Sequence, residues 1–539
     1  MIKQCAQCNK TFHIDSNDQD FYKRRAVPDP QLCPACRSQR RLAHRNETML
    51  YSDECDLCHR SIISQYSPDK QFTVYCRDCW WSDRWNPFDY ARNYNPNSHF
   101  FEQWADFIRS VPLINLLDMK SDNSEYTNCV SNNKNCYLIF TSDYNENCLY
   151  SNWLEHCRDC VDSFKLNNSE QAYQCFFGDR IYNSQYLIKC FSATESFYCY
   201  DCRNIQNCTL SWNLRNKQYY ILNQPYSQID YYKKLAEFEL TTRVGRERIR
   251  LQFQQLMQQS AKHHYRNQLG RIENSTGDYV RDIHNCWQCF DIEEADHCRY
   301  VNNMIGVKDS MDCEYGGMGE DGYQNVETFP MPRHSMVTYG CYGGNDIYYS
   351  HSVMNSKNVF GSSGLKKAQY VIMNKQYSEA DYRTVFNAIR TSLIEAGQWG
   401  QFFPIETSLF AYNETNAQHW YPLTRQQVEQ RGWQYLETDN PAPSSAQRCT
   451  NCQRPFKYVA AETSFYEQHH MPAPQQCYQC RYATRRAWHN PQRLWQRQCL
   501  CQQTDHGHAE RCAEQCDTSY APDRPEVIYC NDCYQKTVY

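Results

Sequence analysis

The chain has 539 residues and a formal net charge of -5 at pH 7, which excludes a protein that binds polyanions over its whole surface. It contains 33 cysteines, its opening MIKQCAQCNK lacks an apolar segment, and no apolar run is long enough to cross a bilayer. These features predict a cytoplasmic protein with no membrane partner. In a reducing compartment, clustered cysteines indicate metal binding rather than disulfides. The length predicts three or more domains.

The chain opens with two sets of paired C-x-x-C knuckles. Each knuckle presents two thiolates from one tight turn, so two knuckles complete a tetrahedral zinc site. We predict zinc ribbon 1 over 1–48, zinc ribbon 2 over 49–85 and a helical connector over 86–121, whose amphipathic part is expected to cap the first repeat block. The predicted ligands are Cys5, Cys8, Cys33 and Cys36 in the first ribbon, and Cys55, Cys58, Cys76 and Cys79 in the second.

The region 122–378 returns repeatedly to short blocks of Asn, Cys and Tyr. A period near 24 residues with polar turns is typical of one coil of a parallel β-solenoid. A further set of matches, offset by 151 residues, predicts a solenoid block over 122–227, a helix over 228–268, a second block over 269–378 and a helical or irregular cap over 379–437. Four of the short blocks, 24, 25 and 23 residues apart, begin at Lys134, Arg158, Asn183 and Gln206.

The predicted fold class is therefore mainly β with helices, with parallel β-solenoid-like repeats in two central blocks and small zinc-ribbon modules at both termini. Several cysteines of the repeat region have knuckle-like spacing. Because side chains alternate along a strand, residues three apart face different ways, so we predict ladders of buried thiols, with a metal site as the alternative. The knuckle-like pairs are Cys157/Cys160, Cys199/Cys202 and Cys286/Cys289.

The C-terminal end repeats the spacing of the N-terminal end. The interval from Cys452 to Cys477 is 25 residues, as it is from Cys8 to Cys33. We predict a linker over 438–447, zinc ribbon 3 over 448–490 and zinc ribbon 4 over 491–539, for a total of four structural Zn²⁺ ions. The third site is formed by Cys449, Cys452, Cys477 and Cys480.

The fourth site has three matched ligands and an open choice for the remaining one. Cys512, Cys530 and Cys533 stand where the second ribbon has its last three cysteines. The remaining ligand lies in an insertion, and we favour one of two cysteines over histidine. The candidates are Cys499 and Cys501, then His508, with His506 in the same insertion.

The first ribbon resembles a known family. The stretches CAQCNKTF and DFYKRRAVPDPQLCPACRSQRR, in the order C-x-x-C, Phe-Tyr, Pro and C-x-x-C-R, resemble the probable zinc-ribbon domain family, which is treble-clef-like. The second copy runs from CTNCQRPF to SFYEQHHMPAPQQCYQCRYATRR. The wider arrangement, with SLFAYNET, YPLT and the ending TSYAPDRPEVIYCNDCY, resembles a group of long zinc-ribbon proteins from bacteria of the candidate phyla. The resemblance implies zinc and this architecture, and no activity.

A site closed by four thiolates leaves no position for a substrate, so a catalytic role for zinc is disfavoured. We predict a non-catalytic intracellular scaffold that uses a rigid solenoid and paired ribbons to bind a protein partner of unknown identity.

The alternative partner is RNA or single-stranded DNA, because a basic, aromatic-containing segment follows sites 1 and 3. A lower alternative is a β-helix enzyme acting on carbohydrate, for which Asp278, Asp282, Asp309 and Asp312 supply carboxylates. The candidate nucleic-acid residues are Arg37, Arg40, Arg41, Arg45, Arg481, Arg485, Arg486 and Trp488.

Overall fold

A computed structural model describes residues 1–264, 268–437 and 447–539. The chain is mainly β with helices, and it divides into two compact units. Unit 1 is Met1–Leu116 with Asn267–Glu437, and unit 2 is Leu117–Arg266 with Thr438–Tyr539. Each unit therefore joins one terminal pair of cysteine modules to one block of the repeat region. The sequence did not predict which pair joins which block.

Residues 1–116 hold two antiparallel hairpins, β1–β2 and β3–β4, each followed by a helix that carries a second knuckle. The predicted amphipathic connector forms a helix, and its Phe100 ring packs on Tyr349 and Phe360 of the second repeat block. The elements are β1 (Ile2–Gln4), β2 (Thr11–His13), α1 (Ser16–Arg24), α2 (Pro34–Leu42), β3 (Tyr51–Glu54), β4 (Ser61–Ser64), β5 (Val74–Tyr75), α3 (Arg77–Trp81), α4 (Phe100–Ser110) and β6 (Leu113–Ile114).

The first repeat block forms a long sheet whose strands run parallel from β7 to β17 and end in an antiparallel β18. Two helices and a short strand follow. The elements are β7 (Asp118–Met119), β8 (Asn128–Ser131), β9 (Phe140–Asp143), β10 (Asn152–Glu155), β11 (Phe164–Asn167), β12 (Glu170–Tyr173), β13 (Phe176–Ile188), β14 (Phe191–Thr194), β15 (Phe197–Tyr200), β16 (Arg203–Thr209), β17 (Arg215–Ile221), β18 (Gln224–Pro225), α5 (Gln228–Ala236), α6 (Arg243–Gln259) and β19 (Lys262–His263).

Parallel partners in this sheet lie 12 residues apart, since Asn128 pairs with Phe140, Phe140 with Asn152, and Asn152 with Phe164. The predicted period near 24 therefore spans two such steps. The backbone turns at every third residue, where φ is positive, as at Asn132, Asn135, Leu138, Thr141, Tyr144 and Asn147. Asn tolerates this left-handed conformation better than most residues. The turn chemistry therefore accounts for a region rich in Asn and poor in long apolar runs.

The cysteines of this sheet are buried, apart from the half-buried Cys129 of β8. The Cys148 thiol lies 3.4 Å from the carbonyl oxygen of Glu146 and 3.6 Å from that of Cys157. Cys199 makes the same two contacts, at 3.5 and 3.4 Å, with Phe197 and Cys208. Burial raises the pKa of Cys175 to about 12. These neutral thiols act as small apolar side chains with a weak donor, as in the predicted ladder.

The helix predicted over 228–268 is two helices and a strand. The α5 helix ends before Glu237, and Glu239 has a φ of 51°, which no helix accommodates. The Thr242 hydroxyl then accepts from the Gly245 amide and starts α6. The strand β19 pairs in parallel with a strand of the C-terminal module, Ile528–Tyr529, within unit 2.

The second repeat block has the same construction in unit 1. Its partners are also 12 residues apart, except for an 11-residue step between Ile272 and Ile283 and a 13-residue step between Tyr323 and Met336. The elements are β20 (Gln268–Glu273), β21 (Gly277–His284), β22 (Cys289–Asp296), β23 (Asn302–Lys308), β24 (Glu314–Glu320), β25 (Tyr323–Thr328), β26 (Met336–Tyr339), β27 (Tyr342–His351), β28 (Met354–Phe360), β29 (Gln369–Ile372), β30 (Lys375–Gln376), α7 (Glu379–Glu395), α8 (Asn416–Trp420) and α9 (Arg425–Glu429).

The C-terminal modules repeat the hairpin-and-helix order of the N-terminal ones. The predicted linker 438–447 lies outside the described residues apart from Gln447, the first residue of β31. The elements are β31 (Gln447–Arg448), β32 (Pro455–Phe456), α10 (Ala460–Gln468), α11 (Tyr478–Arg486), β33 (Trp495–Gln498), β34 (Gln515–Thr518), β35 (Ile528–Tyr529) and α12 (Asn531–Val538).

Candidate metal centres

The second knuckle of every module opens a helix. Cys33, Cys76, Cys477 and Cys530 are the N-cap residues of α2, α3, α11 and α12, and the last cysteine of each set lies in the first turn. A helix N-terminus carries a partial positive charge that stabilises thiolates. The modules therefore have a zinc-binding treble-clef arrangement, in which a hairpin supplies the first two ligands and a helix the others.

One backbone hydrogen bond recurs in all four modules. The amide of the N-cap cysteine donates to the thiol of the first cysteine, at 3.3 Å from Cys33 to Cys5 and 3.2 Å from Cys76 to Cys55. The C-terminal modules repeat it, at 3.3 Å to Cys449 and 3.2 Å to Cys499. The bond stabilises a thiolate at that position and fixes its direction toward the other three.

The sulfur atoms are spaced as zinc requires. With Zn–S bonds of about 2.3 Å, the edge of a tetrahedron of sulfurs is about 3.8 Å long. The Sγ atoms are 3.8 Å apart in Cys8–Cys33 and 3.9 Å in Cys58–Cys76. They are 3.7 Å apart in Cys452–Cys477 and 4.0 Å in Cys512–Cys530. Four cysteine tetrads are thus arranged to bind four Zn²⁺ ions.

In two of the tetrads, backbone amides lower the pKa of the first cysteine. Burial alone would raise the pKa of Cys55, but amide donors that include Cys76 outweigh it and lower the pKa to about 6. Cys449 follows the same balance, with the amides of Cys452 and Cys477 lowering its pKa to about 6. Both side chains are therefore thiolates at neutral pH, the form that binds metal.

The fourth site takes Cys499 as its remaining ligand. Cys499, Cys512, Cys530 and Cys533 bring their sulfur atoms within 4.8 Å of one another and are all buried. Cys501, the other favoured candidate, belongs instead to a neighbouring group with His506 and Cys533. Cys499 alone of the two receives the amide of the N-cap cysteine, which identifies it as the counterpart of Cys55.

In unit 1, the basic segment after site 1 turns inward. Arg37 donates to the Asp312 carboxylate at 2.8 Å, and both side chains are buried. Arg41 lies 3.4 Å from Asp312 and 3.3 Å from Glu314. Burial lowers the pKa of Arg37, but the Asp312 charge outweighs it and holds the pKa above its usual value. The remaining buried member, Arg45, donates to Glu47 at 2.6 Å.

In unit 2, the segment after site 3 does the same. Arg481 and Arg485 donate to the single Asp162 carboxylate, at 3.1 and 2.9 Å. Arg481 also donates to Glu462 at 3.0 Å, and the Arg485 guanidinium reaches the Tyr150 carbonyl at 3.0 Å. All four charged side chains are buried. The guanidinium groups thus neutralise carboxylates of the adjoining sheet and helix.

The other candidate nucleic-acid residues are partly exposed. Arg40 donates to the carbonyl of Phe403 at 2.9 Å, and Trp488 packs edge-on against Phe176, with ring centroids 6.1 Å apart. Arg486 is also partly exposed. These three are the members of the set whose side chains reach the surface.

The carboxylates named for an enzyme do not share one surface. Asp278 and Asp312 are buried, whereas Asp282 and Asp309 are exposed. Asp312 is neutralised by Arg37 and Arg41. Sequence reasoning named Asp312 only for catalysis and did not identify Asp162, Glu314 or Glu462 as partners of the basic segments. The sequence signal that could have identified these carboxylates is the repetition of two arginines in each basic segment, because a buried arginine needs a carboxylate partner.

A family model described as a probable treble clef domain matches residues 2–45, which include the first tetrad. A search of curated proteins gave no match to the chain. Within residues 1–264, 268–437 and 447–539, no helix combines the length and apolar character needed to cross a bilayer.

Proposed function

We propose that this protein is a non-catalytic, zinc-stabilised scaffold that binds protein partners on two β-solenoid bodies. The observation that carries the proposal is the inward direction of the duplicated basic segments, since Arg37, Arg41, Arg481 and Arg485 are all buried on carboxylates of their own unit. A zinc module docked in this way stabilises a sheet. The outward-facing side chains of that sheet then remain as the surface offered to a partner.

The solenoid interpretation rests on the step of 12 residues, constant in the first block and broken at two places in the second, and on the recurring left-handed residue at every third position. Like side chains then stack along the sheet. The exposed Asn123, Asn135 and Asn147 and the partly exposed Asp159 form one such row, joined by hydrogen bonds of 2.8, 3.3 and 2.9 Å. A rigid, repetitive polar row of this kind suits a partner with a regular surface of its own.

The zinc sites support a structural role rather than chemistry. Each tetrad supplies four thiolates, the full coordination of a structural zinc, and leaves no position for water or substrate. The metal then contributes free energy of folding to modules too small to have a large core.

Nucleic acid is the alternative partner, and a binding assay separates the two. Fluorescent RNA and single-stranded DNA oligonucleotides are titrated with the intact zinc-loaded chain at low and at physiological salt. We expect no saturable binding at either. Tight binding at low salt that falls steeply as salt rises would overturn the scaffold proposal, if it is lost in the variant Arg40→Glu/Arg486→Glu and kept in the control Arg248→Glu/Arg271→Glu.

The scaffold itself is tested by affinity purification of the intact chain at high salt, followed by chemical cross-linking and mass spectrometry. We expect a protein that stays bound when surface ion pairs are screened and that cross-links to the exposed rows of the sheets. Cross-links confined to the zinc modules would contradict the proposed use of the sheets.

A further inference from the structure

The fourth module contains a stretch that its N-terminal counterpart lacks. Two residues separate Cys55 from Cys58, whereas twelve separate Cys499 from Cys512. The later spacing is unchanged, because the interval to the next ligand is 18 residues in both modules. The longer stretch therefore adds side chains without displacing the tetrad. Among the added residues are three that bind zinc through nitrogen or sulfur, namely Cys501, His506 and His508.

All three lie beside one thiol of the tetrad. The Cys501 Sγ atom is 3.2 Å from His506 Nδ1, and the Cys533 Sγ atom is 3.5 Å from His508 Nε2. The ligand atoms of Cys501, His506 and Cys533 all lie within 4.8 Å of one another, and these side chains are buried. An N–S edge of a zinc tetrahedron is about 3.6 Å long, so the Cys533–His508 contact has the length of such an edge and the Cys501–His506 contact is shorter than one.

The local backbone directs both imidazoles to this point. The His508 Nδ1 atom is 2.5 Å from the carbonyl oxygen of Glu510, which accepts and does not donate, so Nδ1 carries the hydrogen. The lone pair of Nε2 is then free to face Cys533, in the tautomer that a histidine ligand adopts. Gly507, between the two histidines, has a φ of 91°, which favours glycine. Lys536 anchors the turn by donating to the His506 carbonyl at 2.6 Å.

We propose that the fourth module binds two metal ions. The first ion is held by the tetrad, and the second by Cys501, His506, His508 and the Cys533 thiolate, which bridges the two. A second cation also offsets charge, because one Zn²⁺ surrounded by four thiolates has a net charge of about -2 in a partly buried site. A thiol–imidazole hydrogen bond at Cys501 explains neither the approach of His508 to Cys533 nor the grouping of all three side chains in the added stretch.

The proposal predicts a metal count. The intact chain, purified with Zn²⁺ present and freed of loosely bound metal, is weighed by native mass spectrometry, and we expect five zinc ions per chain. The variant His506→Ala/His508→Ala should retain four, which also shows that the tetrads remain folded. The control His59→Ala/His470→Ala, which removes two exposed histidines, should retain five.

Four ions in the unaltered chain would overturn the proposal, as would five in the His506→Ala/His508→Ala variant. Three in that variant would also overturn it, since the histidines would then belong to the tetrad's own ion. The bridge has a separate readout in the ¹¹³Cd-substituted chain. Two cadmium resonances joined by scalar coupling are expected, and Cys501→Ser should remove one resonance and the coupling together. Five uncoupled resonances would exclude a shared thiolate.

Discussion

In unit 1, Arg37 and Arg41 meet two carboxylates of the sheet, Asp312 and Glu314. In unit 2 the matching Arg481 and Arg485 share Asp162, and the second carboxylate, Glu462 on Arg481, comes from helix α10. The sheet position that corresponds to Glu314 is occupied by Phe164, as the equivalent pairings Asn302 with Glu314 and Asn152 with Phe164 show. What the two units have in common is one buried aspartate between two arginines. The second carboxylate is a variable part of the interface.

The residue that contacts Glu314 in unit 1 also differs from the residue that contacts Phe164 in unit 2. In unit 1, the Ser38 hydroxyl donates to Glu314 at 2.5 Å. In unit 2, the matching Tyr482 faces Phe164, with ring centroids 6.1 Å apart. A polar pair in one unit is therefore an aromatic pair in the other. The comparison teaches that the docking geometry is set by the shared arginines and aspartate, while the neighbouring pair can use either hydrogen bonding or apolar contact.

The largest effect should come from metal removal, which tests what the modules of both units share. A structural zinc contributes about 10 kcal/mol or more to a small module. We expect a strong chelator to abolish hydrogen-exchange protection in α2 and α11 alike, while the central strands of both sheets stay protected. Hydrogen-exchange mass spectrometry measures this. Retained protection of either helix in zinc-free protein would show that its docking does not depend on the metal.

Removal of the shared aspartate should cost both units a similar amount. In Asp312→Ala, Arg37 loses its carboxylate while Arg41 keeps Glu314, and in Asp162→Ala, Arg485 loses its carboxylate while Arg481 keeps Glu462. Loss of one partner of a buried ion pair costs about 3–5 kcal/mol, so each variant should lose about that much. Denaturant unfolding followed by hydrogen exchange in each unit measures both losses. The exposed control, Asp20→Ala, should change stability by less than about 0.5 kcal/mol. A large loss in only one of the two aspartate variants would mean that the shared aspartate does not hold both modules in the same way.

The pair Ser38–Glu314 of unit 1 can be replaced by the residues of the matching pair in unit 2, Tyr482–Phe164. Glu314→Phe should destabilise unit 1 by about 2–3 kcal/mol, because Ser38 and Arg41 lose a buried acceptor. Adding Ser38→Tyr recreates the pair of unit 2 and should restore about 1 kcal/mol or more, a coupling that a double-mutant cycle measures. Strict additivity of the two substitutions would contradict the interpretation that these residues vary as a pair.

The smallest effect concerns acid, and it comes from two buried histidines of unit 1. Burial, and then the Arg40 charge, lowers the pKa of His44 to about 3, and burial likewise lowers that of His351 to about 3. Since the unfolded pKa is about 6.5, stability is complete above that value and falls as pH drops toward 3. Each histidine should lower the free energy of unfolding by about 1.4 kcal/mol at pH 5.5.

Unit 2 has Trp488 at the position of His44, so its sheet should lack this pH dependence. The amide hydrogen-exchange rates of β26, corrected for the intrinsic effect of pH, measure the loss of stability in unit 1. His44→Phe should remove about half of the slope. A slope of the same size in both units, or one unchanged in His44→Phe, would assign it to other groups.

The sequence by itself determined the local features of this protein. Spacing alone identified three cysteine tetrads and three ligands of the fourth, because a knuckle is a short-range motif whose ligands depend on a few neighbouring residues. It also indicated parallel repeats, but the period near 24 was twice the observed step of 12, because the sequence blocks that were matched lie two steps apart. The break at Glu239 inside a helical pattern had no clear local signal.

Only the tertiary structure decided which parts meet. Pairing of Arg37 with Asp312 joins residues 275 positions apart, and pairing of Arg481 with Asp162 joins residues 319 apart. A run of arginines has the same sequence pattern whether it faces solvent or a buried carboxylate. The same limit applied to the fourth site, where Cys499 and Cys501 are equivalent by spacing. They are distinguished only because the chain brings the Cys530 amide to Cys499 and places the imidazole of His506 beside Cys501.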